Sequence, residues 1–162
     1  MRQIAAAILA SLLISCGTTV ETRTSPNYPE LRYSDNCPWD LKDVETNLTI
    51  FRAIWYSVYP ESEAVYITQS MSIQCINETP TLYYGLTTGE NEVVLWTRDV
   101  WGIPKTVGQS SLCHELVHVS LGLDFGDQDI DHLENERATT WKPEHEAIID
   151  QCRSLTQYYT RE

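Results

Sequence analysis

The chain has 162 residues, of which 23 are acidic and 11 basic, so its formal net charge at neutral pH is −12. This length suggests a single domain. So acidic a chain repels phosphate backbones, and its sequence contains no basic stripe. The charge therefore argues against nucleic acid as a partner.

The N-terminus has the pattern of an export signal. Arg2 supplies a positive charge, and the apolar run 4–14 that follows is too short to span a bilayer comfortably. The run ends in LISC, which resembles the lipobox of bacterial lipoproteins. The resemblance implies cleavage before Cys16, acylation of that cysteine, and anchoring in a bacterial membrane, facing the periplasm or on the cell surface. An ordinary signal peptide or a buried N-terminal helix is the alternative.

The composition divides the chain into three parts. Residues 1–15 are predicted to be the signal peptide. Residues 16–36 comprise the lipidated cysteine and a flexible tether, because residues 17–36 are rich in Thr, Ser, Pro and charge and lack an apolar period. Residues 37–162 are predicted to form the folded domain.

Four cysteines remain once Cys16 is set aside. An even number in an exported chain predicts two disulfides, for which three pairings are open. The preferred pairing is Cys37 with Cys75 and Cys113 with Cys152, because the second bond would tie a histidine-bearing helix to the C-terminal helix. The absence of a CxxC pair disfavours a cysteine zinc cluster.

The first half of the domain is predicted to contain a helix and a small sheet. Apolar residues recur at steps of three and four over residues 40–59, which predicts a helix that Pro60 ends. Residues 64–68 read as a strand. Residues 82–86 and 92–97 flank a turn and predict a β-hairpin, whose second strand is a candidate for the edge of the sheet.

The second half is predicted to be helical. After a loop at 101–109, Ser110 or Ser111 is a candidate N-cap for a helix that runs to Leu121 and stops at Gly122. A last helix is predicted from Pro143 to about residue 158. The fold class is therefore α+β, with an N-terminal helix, a small antiparallel or mixed sheet, a central helix and a C-terminal helix.

The central helix carries the motif HELVH, in which His114 and His118 lie on one helical face. Two imidazoles four residues apart can bind one zinc ion, and Glu115 is placed to act as general base toward water. Leu116 and Val117 are expected to face the core. A helix that carries two surface histidines is the alternative.

Zinc needs a third protein ligand if one position is to stay open for water. Asp124 has the spacing of the third ligand in metzincins, but the chain lacks a downstream methionine. Glu134 or Glu136 would correspond to the distant glutamate of thermolysin-like enzymes. The acidic stretch GDQDID has two alternative interpretations, a calcium-binding loop or a solvated acidic loop. The absence of EF-hand spacing disfavours calcium.

The segment after the motif resembles the aspzincins, or deuterolysin-like metallopeptidases, whose pattern is HExxH followed by GTxDxxYG. Gly126 and Asp129 match the glycine and aspartate of that pattern, and His132 replaces its tyrosine. The resemblance implies that Asp129 ligates zinc and that His132 stabilises the oxyanion. Because imidazole is the commoner zinc ligand, His132 can instead bind directly, with Asp129 or Asp131 as its hydrogen-bond acceptor.

These features predict a zincin-like, zinc-dependent metallopeptidase with one zinc per chain, exported as a membrane-anchored lipoprotein. Its substrate would be a peptide or protein in the cell envelope or outside the cell. One alternative is a membrane-tethered zinc-binding structural protein without turnover. Another is an envelope amidase that acts on a non-peptide or peptidoglycan amide. His145 is expected on an exposed helical turn, outside the site.

Overall fold

A computed structural model describes residues 22–25, 27–28, 31–63, 71–89, 91–129 and 140–160. Within these ranges the predicted α+β class is confirmed. The helices and strands, in chain order, are β1 (Thr22–Thr24), β2 (Arg32–Ser34), α1 (Leu41–Val58), β3 (Ser72–Ile76), β4 (Gly85–Thr88), β5 (Glu92–Trp96), α2 (Leu112–Phe125) and α3 (Pro143–Tyr159). A short 3₁₀ helix at Val107–Gln109 precedes α2.

The described strands form one mixed sheet in the order β1-β2-β3-β5-β4. The pairs β2–β3 and β3–β5 are parallel, whereas β1–β2 and β4–β5 are antiparallel. The predicted hairpin is present as β4–β5, with its first strand at Gly85–Thr88 instead of the predicted 82–86. The prediction that its second strand is the edge is wrong, because β5 lies between β3 and β4 and is paired on both sides. The outer strand next to α2 is β4.

Two strands lie inside the range predicted as a flexible tether. The strands β1 and β2 add to the sheet, and both Leu31 and Tyr33 are fully buried. Side chains of Ser25 and Asn27 also hydrogen-bond to Glu45 on α1. A three-residue strand is too short to show an alternating pattern, so composition alone pointed to a tether there.

The helices α1 and α3 begin and end close to their predicted positions. The predicted apolar face of α1 is buried, with Val44, Leu48 and Phe51 at most 1% exposed. Pro143 occupies the first turn of α3, where its missing N–H costs no hydrogen bond. The three helices pack on one another, and α2 also contacts β4 and β5. The hydrophobic core includes residues of all three helices and of β2, β3 and β5.

The helix α2 continues one turn beyond its predicted end. It runs to Phe125, and Gly126, at φ 72°, caps it by donating its N–H to the carbonyl of Gly122. Gly122 has a different role, because a Cβ there would lie 2.7 Å from Cγ of Gln128. Gly122 is thus required by the close packing of the loop that follows α2, although in the sequence it was predicted to end the helix.

Both preferred disulfides are confirmed. Cys37 pairs with Cys75 and Cys113 with Cys152, at Cα separations of 4.9 and 6.1 Å. The second bond joins α2 to α3 as expected. Two buried disulfides are typical of proteins from an oxidising, extracytoplasmic compartment. None of the helices in the described ranges has the length and apolar character needed to cross a membrane.

Several predictions concern residues outside the described ranges. They are the signal peptide, Cys16, the strand at 64–68, and the candidate ligands Asp131, His132, Glu134 and Glu136.

Candidate active site

The two histidines of the motif converge at their Nε2 atoms. His114 and His118 lie one turn apart on α2, and their Nε2 atoms are 3.2 Å apart. Nδ1 of His118 is 2.6 Å from the backbone oxygen of Gln128. Because a carbonyl oxygen only accepts, this nitrogen carries the proton, and Nε2 of the neutral imidazole is an acceptor. Nε2–H of His114 then donates to Nε2 of His118.

This arrangement fits a zinc ion. At Zn–N distances of about 2.0–2.1 Å, two ligands of a tetrahedral site lie roughly 3.4 Å apart, close to the observed separation of the Nε2 atoms. The hydrogen bond from His118 to Gln128 fixes the tautomer that metal ligation needs. Only His114 would have to transfer its proton to the other ring nitrogen.

Glu115 is buried between α2 and the outer strand of the sheet. Its side chain is only 4% exposed, and Oε2 accepts a 2.9 Å hydrogen bond from Oγ1 of Thr87 on β4. Burial raises the pKa of Glu115 from 4.5 to about 7, and the hydrogen bond from Thr87 partly offsets that effect. At neutral pH the carboxyl group is therefore partly protonated and partly ionised.

Gly85 on β4 makes room for this carboxyl group. A Cβ at Gly85 would lie 2.5 Å from Oε1 of Glu115 and 2.8 Å from Cβ of Ser111. Only glycine allows the strand to approach α2 so closely. Gly85 and Thr87 were not predicted as parts of the site, although a glycine inside a strand is itself a signal of close backbone approach.

Asp129 accepts three hydrogen bonds on one carboxylate oxygen. Oδ2 receives the backbone N–H of Thr140 at 3.1 Å, its hydroxyl at 2.9 Å and the backbone N–H of Trp141 at 2.6 Å. The side chain is buried, and the residue has a positive φ of 47°. Among the residues that the structure describes, no group of three His, Cys, Asp or Glu side chains is placed to hold a metal ion.

The indole of Trp141 lies against both histidines. Its ring centroid is 5.2 Å from that of His114 and 5.0 Å from that of His118. Nε1 of Trp141 donates to Oε1 of Glu146 at 3.0 Å. The sequence contains no signal for this contact, because Trp141 follows a stretch without periodicity.

His145 is buried, and its predicted position on an exposed turn is wrong. Nδ1 accepts the backbone N–H of Lys142 at 3.0 Å, and Nε2 lies 2.8 Å from the hydroxyl of Tyr59. Burial lowers the pKa of this imidazole. His145 thus caps the start of α3 and packs its ring beside Trp141.

Asp124, the metzincin-type candidate, holds the end of α2 against the segment that follows α1. Its carboxylate accepts hydrogen bonds from Nε1 of Trp55 at 3.0 Å, the hydroxyl of Ser62 at 2.5 Å and the backbone N–H of Glu63 at 2.9 Å. The Asp124 carboxylate is therefore bound to Trp55, Ser62 and Glu63, and it does not form part of a site with His114 and His118.

No protein-family model matches the chain, and no curated protein or solved structure is significantly similar to it.

Proposed function

We propose that the protein is a zinc-dependent metallopeptidase of the zincin type, with His114 and His118 as zinc ligands and Glu115 as general base. The observation that carries the proposal is the 3.2 Å separation of the two Nε2 atoms. It is supported by the tautomer that Gln128 fixes on His118 and by the buried carboxyl group one residue along α2.

Each residue has a defined task in peptide hydrolysis. Zinc at this site would lower the pKa of water toward neutrality and polarise the scissile carbonyl. Glu115 accepts the proton of the attacking water and passes it to the leaving amine, while Thr87 orients the carboxyl group through its hydroxyl. The sequence offers Asp129 and His132 as candidates for the third ligand, and an unligated His132 would help to stabilise the oxyanion.

The outer strand β4 supports a peptide as the substrate. It is the last strand of the described sheet, and it holds Gly85 and Thr87 directly beside Glu115. An extended peptide that adds antiparallel to such an edge forms main-chain hydrogen bonds over its length. Its scissile bond would then pass the general base. The exposed side chain of Leu86 would contact such a peptide.

The location proposed for this activity is the outside of the cytoplasmic membrane, with the chain anchored by a lipid on Cys16. The two disulfides support an oxidising compartment. Mass spectrometry of the N-terminal peptide from membrane-expressed protein tests the anchor: a diacylglycerol-modified Cys16 is expected, and an unmodified one contradicts it.

Cleavage by wild-type protein and by Glu115→Gln tests the proposed activity. Both are incubated with a peptide library and with purified peptidoglycan, with and without a chelator. The proposal predicts chelator-sensitive peptide cleavage by wild type, reduced about 10²–10⁴-fold in Glu115→Gln. Glu78→Gln, which alters an exposed carboxylate, is the matched control and should retain full activity. Equal cleavage by wild type and Glu115→Gln would contradict the proposal, and cleavage of peptidoglycan alone would point to the amidase.

A further inference from the structure

The backbone at Asp129 adopts a conformation that most side chains avoid. Its φ of 47° lies in the left-handed region, where aspartate and asparagine are tolerated better than other non-glycine residues. The backbone N–H of Asp129 donates to Oδ1 of Asp127 at 3.0 Å. Gln128 is fixed by its amide, which donates to the carbonyl of Gly89 at 2.6 Å. The loop is therefore fastened both to itself and to the β4–β5 turn.

From this loop, the carboxylate of Asp129 reaches the segment that precedes α3. Three donors from Thr140 and Trp141 converge on one oxygen, which is the acceptor for two part-buried backbone N–H groups. A carboxylate that accepts several N–H bonds acts as a cap that fixes the local backbone. Oδ2 is therefore committed to the backbone of Thr140 and Trp141.

The segment at residues 140–141, which Asp129 holds in place, brings the indole of Trp141 into contact with His114 and His118. The indole contacts both imidazoles on one side, at centroid distances of 5.2 and 5.0 Å. On another side it packs edge-on against the buried ring of His145, at 5.6 Å. The indole therefore restricts the rotamers of His114 and His118, whose Nε2 separation is the feature that suits zinc.

We propose that Asp129 is a positioning residue rather than a zinc ligand: it holds Trp141 against His114 and His118 and so keeps their Nε2 atoms at ligand spacing. This inference rests on the proposed zinc site. It is independent of the aspzincin resemblance, which implies the opposite role for Asp129. Among the described residues, no third metal-ligating side chain joins the histidine pair, which agrees with the positioning role.

Two substitutions at one position separate the roles. In Asp129→Asn, the amide oxygen still accepts the N–H groups of Thr140 and Trp141, and asparagine tolerates the positive φ. The same change removes the anionic oxygen that a zinc ligand supplies. Asp129→Ala removes both functions. Trp141→Phe keeps an aromatic ring on the histidines and Trp141→Ala does not. Asp150→Asn, on the exposed face of α3, is the control.

The measurement is the Kd for Zn²⁺ by chelator competition, together with the visible spectrum after Co²⁺ substitution, on the purified full chain. We expect Asp129→Asn and Trp141→Phe to stay within about 3-fold of wild type and to keep the Co²⁺ spectrum. Asp129→Ala and Trp141→Ala should bind Zn²⁺ about 10–100-fold more weakly, the usual effect of losing a group that orients a ligand. A loss in Asp129→Asn as large as in Asp129→Ala, with an altered Co²⁺ spectrum, would overturn the proposal. So would an unchanged Kd in Asp129→Ala.

Tryptophan emission tests the same contact without metal. The emission of Trp141 is taken as the difference between each protein and the same protein with Trp141→Phe. In Asp129→Ala it should become stronger and shift to longer wavelength, because the indole leaves the quenching imidazoles, whereas Asp129→Asn should match wild type. An unchanged emission in Asp129→Ala would overturn the positioning role. If wild type binds no Zn²⁺, the proposed function fails, and the emission still decides whether Asp129 holds Trp141.

Discussion

Replacing Glu115 by glutamine should stabilise the metal-free protein at neutral pH. The pKa of the folded carboxyl group is about 7, against 4.5 when it is exposed. Below pH 4.5 the group is neutral in both states and burial carries no ionisation penalty. As the pH rises toward 7, the unfolded state ionises while the folded state does not, so stability is lost across this window. At 1.36 kcal/mol per pH unit, the loss by pH 7 is about 3 kcal/mol.

Glutamine cannot ionise, yet its amide oxygen can still accept the hydroxyl of Thr87. The free energy of unfolding is measured by urea denaturation in the presence of a chelator, at several pH values between 4 and 7.5. The variant should match wild type at pH 4 and exceed it by up to about 3 kcal/mol at pH 7. A difference that is constant over this range would refute the reasoning, as would an equally large pH-dependent difference in Glu78→Gln, which changes an exposed carboxylate.

Three further changes probe the surroundings of this carboxyl group. Gly85→Ala places a Cβ within 2.5 Å of Glu115 and should cost about 1–3 kcal/mol in urea unfolding, together with most of the peptidase activity. An unaffected variant would show that β4 can move away from α2. Thr87→Val removes the hydrogen bond that lowers the pKa of Glu115, so the midpoint of the pH-dependent stability loss should move upward. Thr87→Ser should restore it, and identical midpoints in all three proteins would contradict the role of the hydroxyl. The double variant Cys113→Ala/Cys152→Ala opens a loop of 39 residues and should lose about 4 kcal/mol of stability by the loop-closure relation. An unchanged thermal midpoint would show that the bond adds nothing.

The sequence predicted those features that repeat over many residues or follow from a strong local rule. The apolar period over α1 spans five turns, and the proline at the start of α3 marks that helix plainly. The preferred disulfide pairing, one of three that the sequence left open, is confirmed. By contrast, β1 and β2 contain three residues each, and their place in the sheet depends on pairing with each other and with β3.

The site was predicted only as far as its local pattern extends. The HELVH motif predicts two imidazoles on one face of a helix, and the structure brings their Nε2 atoms together. The contributions of Gly85, Thr87 and Trp141 come from segments far away in the sequence, whose approach depends on how the sheet and α3 pack. Gly122 illustrates the same limit, because its meaning depends on Gln128, which reaches it only after α2 turns back.

The most direct test of the zinc site is the metal content of the purified full chain, by elemental analysis after equilibration with Zn²⁺ and removal of the excess. Wild type should retain one zinc per chain, and the variants His114→Ala and His118→Ala should retain none while keeping the far-ultraviolet circular dichroism of the wild type. A wild-type protein without zinc, or a histidine variant that still binds one equivalent, would contradict the account.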